Sequence, residues 1–218
     1  MIGYFLISGV GIVAGYHRYF AHGVFKMAPW KEKIVTLLGL LGGQGSPIFW
    51  TAIHRGYHHR FSDTERDIHS PKNGKWMSYI GWVGEVNNPD INYKYAGPKL
   101  LRDPFQIFVN KYYYSLVWFM IIIFFIIAGP WLTFSIIVAP MLMAAHMEYS
   151  INLFCHLKWF GYRNFDTKDD SVNSPLLGLL VWGDGFHNTH HHNPGLKYND
   201  VRKFEFDLCR LIIPVLED

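Results

Sequence analysis

The chain has 218 residues, half of them hydrophobic, with 17% aromatic and only 17% charged. That length suits one domain, and a charge fraction below the ~25% of soluble domains points to a membrane or an unusually apolar core. A net charge of +3 with histidine neutral is too small to argue nucleic-acid binding, and two cysteines, Cys155 and Cys209, leave no disulfide framework and no cysteine metal site.

Residues 2–16 are uncharged and mostly apolar, so they predict a short membrane span, about 24 Å of helix against a hydrocarbon core of roughly 30 Å. A signal peptide is the competing reading, but neither a positively charged start nor a small-residue cleavage site is present. The segment runs straight into His17-Arg18-Tyr19-Phe20-Ala21-His22. Residues 34–49 are apolar again but hold Gly39, Gly42, Gly43, Gly45 and Pro47, which predicts a helix followed by a re-entrant or interfacial turn. Trp50 and then His54-Arg55-Gly56-Tyr57-His58-His59 follow. On an α-helix His54 and His58 share a face and His59 is rotated away, so two metals side by side could use both directions.

Residues 61–102 read as a polar, aromatic loop. Residues 112–147 contain no Lys, Arg, Asp or Glu, and Gly129-Pro130 near their middle splits them into two spans, 112–128 and 131–147. The run from Ile121 to Ile127 lacks the polar face that a soluble helix needs. Glu148, Asn152 and His156 then follow at four-residue steps, one helical stripe leaving the membrane. After a polar loop at 161–174 comes Gly183-Asp184-Gly185-Phe186-His187-Asn188-Thr189-His190-His191-His192. Phe204, Leu208, Leu211 and Ile212 give one apolar face to a short helix before Pro214, an interfacial lid or packing helix.

All Lys and Arg lie in residues 18–111 or 158–210, so with two crossings between them both basic blocks fall on one side, the cytoplasmic one by the positive-inside rule. The expected fold is therefore all-α: a single multi-pass membrane domain over residues 1–218 with a histidine-rich cap on the cytoplasmic side. Nine histidines meet there: His17 and His22; His54, His58 and His59; His156; His187, His190 and His191. They exceed what one zinc takes, and shared between two metals they give four or five each, which leaves room for water or oxygen and suits iron. Asn152 is a further contributor through a water. His69 is expected to make a turn hydrogen bond, His146 to pair with Glu148, and His192 to lie outside the site.

These residues resemble the integral-membrane fatty acid desaturases, in particular the Δ9-type branch of stearoyl-CoA and acyl-lipid enzymes, over nearly the whole chain. Gly15 to His22 resembles the family's first histidine box, and Gln44-Gly45-Ser46-Pro47 to Trp50 the approach to the second. Ser62-Asp63-Thr64 and Asp67 to Pro71 resemble the segment on the far side of that second box. Asn152 to His156 with Gly161-Tyr162-Arg163 is similar to the fourth ligand segment, and Gly183 to His191 to the third box. The resemblance implies that the nine histidines ligate two iron ions, with Asn152 reaching them through water. It further implies O₂-dependent removal of two hydrogens from a fatty acyl chain, electrons from ferredoxin or cytochrome b5, and a hydrophobic tunnel for which Gln44 and Trp50 are candidate lining residues.

Four departures stand out. The second box is one residue longer than usual in the branch, and Asp184 stands where glutamate is usual. Basic residues expected of the acyl-CoA enzymes are missing at Thr51-Ala52-Ile53 and Val83-Gly84-Glu85, which favours an acyl-lipid substrate. The chain starts within what would be the second helix of the family's N-terminal hairpin. A hydroxylase or ketolase of the same chemistry, and a non-enzymatic membrane metal-binding protein, are the competing functions.

Overall fold

The computed structural model describes residues 1–85 and 90–218. Among them the chain is helical, with no strand and only isolated bridges from Asn173 to Tyr162 and Phe186. Prolines open many of the helices, as their fixed φ and missing N–H suit the first helical turn. α1 (residues 2–21) is followed by α2 (Pro29–Leu40), α3 (residues 47–61), α4 (residues 77–85), α5 (Pro98–Arg102) and α6 (Pro104–Lys111). α7 (residues 113–128) and α8 (residues 130–154) form the longest apolar stretch, and α9 (Pro175–Leu180), α10 (His187–His192) and α11 (Cys209–Leu216) complete the chain.

α1 is the axis of the fold. Nearly every side chain from Ile7 to Ala21 is buried, because α2, α8 and α11 all pack against it. α1 and α2 approach so closely that a Cβ on Gly11 would lie 2.5 Å from the Gly39 nitrogen, so only glycine fits the crossing. From Phe5 to Ala21 the helix is wound in wide i→i+5 turns, an unusual length for a geometry that concentrates at functional sites.

Tyr113–Phe154 is the one stretch among the described residues long and apolar enough to cross a membrane, with a mean hydropathy of 2.5 and most of its surface unburied. Gly129 breaks it with φ 77° and ψ 174°, and Pro130 starts the next helix. A straight helix would put Val117 and Met141 about 36 Å apart, yet both line one cavity, so α7 and α8 fold back as a hairpin.

Two stretches differ from the sequence expectation. Residues 61–102 contain α4 and α5 as well as turns, with Trp82 buried among the core aromatics; residues 86–89 of that expected loop lie outside the described ones. In the C-terminal segment the helix begins at Cys209, contains Pro214, and buries Cys209, Ile212 and Ile213 against α1, while Phe204 and Leu211 are exposed. The buried face is thus one step round from the expected one, because Phe204 and Leu208 precede the helix.

Candidate metal centre

The nine histidines converge from four places into two clusters. His17, His22, His54, His59 and His190 form one, and His58, His156, His187 and His191 the other, each with its ligand nitrogens within 4.8 Å of one another. Within the first, His17 Nε2 lies 2.9 Å from His190 Nε2, and His59 Nε2 lies 2.9 Å from both His54 Nε2 and His190 Nε2. Within the second, His58 Nε2 is 3.1 Å from His191 Nε2 and His187 Nε2 is 3.1 Å from His156 Nε2.

The winding of the helices sorts the ligands. In α3 the residues His54–His58 follow i→i+5 turns, with the His59 amide donating to the His54 carbonyl. This wider turn brings His54 and His59, five apart, to one side and turns His58 to the other cluster. Ideal α-geometry would instead pair His54 with His58. The same five-residue step unites His17 and His22, whose backbone is joined by a bond from His22 N to His17 O at 3.1 Å. On α10 the spacing is ordinary, and His187 and His191 share a cluster while His190 points to the other.

Carboxylates fix the rings. Asp184 sits 2.6 Å from His17 Nδ1, Asp67 3.0 Å from His58 Nδ1, Asp63 2.9 Å from His156 Nδ1 and Asp169 2.8 Å from His191 Nδ1. Each carboxylate accepts a hydrogen bond from Nδ1–H, which holds the proton on Nδ1 and leaves Nε2 with a bare lone pair. His58 and His191 then oppose two lone pairs at 3.1 Å, an arrangement that repels unless a cation lies between them. Donors spaced ~3 Å apart suit a shared ion bound at ~2.1 Å. The residues present therefore fit metal in both clusters.

Protonation agrees. Burial, reinforced by neighbouring histidines, holds His22, His54, His59, His187 and His190 below the usual histidine range, and burial lowers His191 to about 4 against the opposing pull of Asp169. Neutral imidazole is the ligating form. For His156 burial is outweighed by the hydrogen bond and charge of Asp63, which raise it. Burial would raise Asp67, but the charge and hydrogen bond of His58 bring it below the usual carboxylate range.

The role of the four carboxylates went unread in the sequence, where Asp63, Asp67 and Asp169 fall in polar loops and Asp184 stands out only as a departure from the third box. Their only signal is position, since all four sit in the turns flanking histidine segments. Asp184 also accepts from Arg18, which is wholly buried and bonded to Asp207 at 3.0 Å, so one guanidinium ties α1 to both ends of the C-terminal region. Gly183 permits this contact: at φ 104° its Cβ would fall on the Asp207 carboxylate.

Three histidines lie outside the two clusters. His69 is buried, its Nδ1 lies 4.0 Å from Asp67 Oδ1 in a smaller third group with His58, and its backbone N–H, not its ring, makes the turn hydrogen bond to Asp67. His146 meets the Tyr79 hydroxyl at 2.8 Å rather than Glu148, which faces Ser8 instead. His192 stacks on Phe165 with ring centroids 4.0 Å apart.

A chamber of about 50 Å³ opens beside the clusters, lined by His17, His54, His58, His187, Asn152 and Glu148 among others. Trp50 also lines it, stacked on His54 and donating from Nε1 to Gln44 Oε1 at 2.9 Å. At Gln44, Phe49 and Trp82 the chamber meets a cavity of about 690 Å³, which continues between α7 and α8 past Val117, Ile121 and Met141.

A family model described as fatty acid desaturase matches residues 1–207. The chain belongs to the fatty acid desaturase family. It is 31% identical to an sn-2 palmitoyl-lipid 9-desaturase of Nostoc sp. (strain 36), over 98% of this chain and 75% of that one. An sn-1 stearoyl-lipid 9-desaturase of Anabaena variabilis is also 31% identical, with 98% and 78% covered. An icosanoyl-CoA 5-desaturase of Limnanthes douglasii is 33% identical over 96% of this chain, which spans only 59% of that relative. Membership of a family of desaturases makes this chain an oxidoreductase of lipid metabolism, and the two histidine clusters are the metal-compatible part of this desaturase.

Proposed function

We propose that the chain is a multi-pass membrane desaturase that introduces a double bond into a fatty acyl chain, of the Δ9 type and carried on a lipid. In this reading residues 1–218 act as one domain, with spans at 2–16, 112–128 and 131–147 and an interfacial segment at 34–49. The histidine face is cytoplasmic. His17, His22, His54, His59 and His190 would hold one iron, and His58, His156, His187 and His191 the other, with Asn152 reaching it through water. Bound iron supplies the oxidising power that an unactivated C–H bond requires when dioxygen is reduced. The carboxylates on Nδ1 fix the tautomer and orient the imidazoles, while burial favours their neutral form. The cavity that runs between α7 and α8, walled there by Val117, Trp118, Ile121 and Met141, aligns the acyl chain, and Gln44 and Trp50 steer it where the cavity meets the chamber.

Overall, the acyl chain loses two hydrogens while dioxygen, two electrons and two protons become two waters. Ferredoxin or cytochrome b5 is the proposed source of the electrons. The opposed lone pairs of His58 and His191, with seven further imidazoles around them, are the observation that supports this reading. Lipid analysis of a host expressing the chain should show new monounsaturated acyl groups that vanish with His190→Ala. Oxygenated chains without a double bond would instead identify a hydroxylase, and zinc without iron in the purified protein would count against oxidation altogether.

A further inference from the structure

Glu148 is a chamber residue to which the desaturation reaction gives no task. It stands on α8 one turn before Asn152, is only 8% exposed, and lines the chamber beside His17 and His187. Its one hydrogen bond among the described residues comes from the Ser8 hydroxyl of α1, which donates to Oε1 at 3.3 Å and leaves Oε2 to the chamber. No Lys, Arg or His nitrogen forms an ion pair with it among the described residues. The other carboxylate of the chamber, Asp184, is fully engaged by His17 and Arg18. A buried carboxyl without a cation is costly as an anion, and an ionisable residue at the membrane end of a helix marks function more often than packing.

The stoichiometry asks for such a group. The acyl chain contributes two hydrogens to the two waters formed, so two protons must enter from outside along with two electrons from a one-electron donor. Asn152, Gln44 and Trp82 can hydrogen-bond in the chamber but cannot release a proton near neutral pH. The titratable groups that share the chamber with Glu148 or sit beside it are Tyr4 and His17 from α1, His54 and His58 from α3, His69, and Asp184 and His187 from the C-terminal region. His17, His54, His58 and His187 are committed to metal and Asp184 to a ring, Tyr4 donates its hydroxyl hydrogen bond to the Leu180 carbonyl, and burial holds His69 down at about 3, where it carries no proton near neutral pH.

We propose that Glu148 is the proton carrier of the chamber. Its O–H bond breaks as the proton passes to the oxygen being reduced to water, the Ser8 hydroxyl steadies the carboxylate left behind by donating to Oε1, and the carboxylate regains a proton from water at the part of its surface that stays open. Atoms balance over one turnover when this occurs twice. The proposal rests on the desaturase reading.

The test compares the purified full chain with Glu148→Gln and Glu148→Asp. Glu148→Gln keeps size and hydrogen bonding but cannot carry a proton, so turnover should fall about a hundredfold with iron content and melting temperature unchanged. Glu148→Asp should recover part of the rate and show an enlarged solvent deuterium isotope effect. The metal-free protein gives an independent readout: an infrared band of a protonated carboxyl that shifts in D₂O should be present in the wild type and absent in Glu148→Gln. Turnover of Glu148→Gln at the wild-type rate, or a carboxyl band that survives the substitution, overturns the assignment of Glu148 alone. A wild-type chain that binds iron and forms no double bond overturns the desaturase reading, and with it the reaction that needs the proton.

Discussion

The two histidine clusters differ in how they are held. Among the described residues the four-membered one has a carboxylate behind three of its rings, Asp67, Asp63 and Asp169, whereas the five-membered one has Asp184 alone, and shares it with Arg18. The larger cluster relies on the number of imidazoles and on the rigid pairing of α1 with α3; the smaller one relies on charge. One cluster is thus built from helix geometry and the other from loop chemistry, and each should fail in its own way.

Removing a ring is the most damaging change in either. His190→Ala deletes the nitrogen that bridges His17 and His59, and should abolish desaturation while halving the iron content, with the other cluster still loaded. His187→Ala should do the same from the opposite side. Metal analysis and lipid profiling of the two variants check this, and retention of both metals in either one would break the division into two clusters.

Next comes acid. Without metal, the histidines held below 6.5 stay neutral in the folded chain while the unfolded chain binds protons, so stability falls as pH drops below about 6.5. The share of His191 ends near 4, where its folded ring takes up a proton, while the rings held lower carry the fall further. His156 works in the opposite sense: its raised value adds stability that is present below 6.5 and lost as pH rises through that value. The lowered groups outnumber it, so the metal-free protein should melt at progressively lower temperature from pH 7 to pH 5. Bound metal should blunt that decline until protons displace it. A melting temperature of the metal-free protein that is flat across this range would contradict the burial of neutral rings.

The histidines were legible in the sequence and their supports were not. Paired spacing at the ends of apolar segments is enough to mark His17, His22 and His54 as neighbours. The partition could not be read the same way, because it depends on i→i+5 winding in α1 and α3, and the sequence period assumed for His54 and His58 was that of an α-helix. Asp63 and Asp169 lie 106 positions apart in the chain and act on His156 and His191 only because the fold brings those loops to the cluster. Exposed apolar side chains on α7 likewise follow from composition, while the break at Gly129 owes its position to Gly-Pro.

Asp184→Asn tests the sole charge behind the five-membered cluster. It should weaken metal retention there by about 10- to 100-fold, and it also strips one of the two carboxylates from buried Arg18, which should lower the melting temperature. Asp184→Glu, which restores the residue usual in the family, should keep most of the metal. Chelator competition followed by metal analysis separates these variants. Equal loss with glutamate would mean that ring distance, not charge, is what Asp184 supplies.

The smallest effect is expected from Asp169→Asn. Its carboxylate accepts from His191 Nδ1 at 2.8 Å and also from Thr167 Oγ1 at 2.8 Å and the Ser171 amide at 3.1 Å. An asparagine oxygen can keep the bond to His191 at the expense of the charge and of the acceptor that Oδ1 offers the Ser171 amide, and Asp67 and Asp63 remain behind the other rings. Metal affinity at the four-membered cluster should therefore fall by about threefold to tenfold, the lower edge of such effects, with the other cluster untouched. Competitive chelation on single-site protein, prepared with His190→Ala, would measure it. A loss as large as that of Asp184→Asn would show that three carboxylates act as a unit and cannot replace one another. The contrast between the clusters would then lie in how tightly their supports are coupled rather than in how many there are.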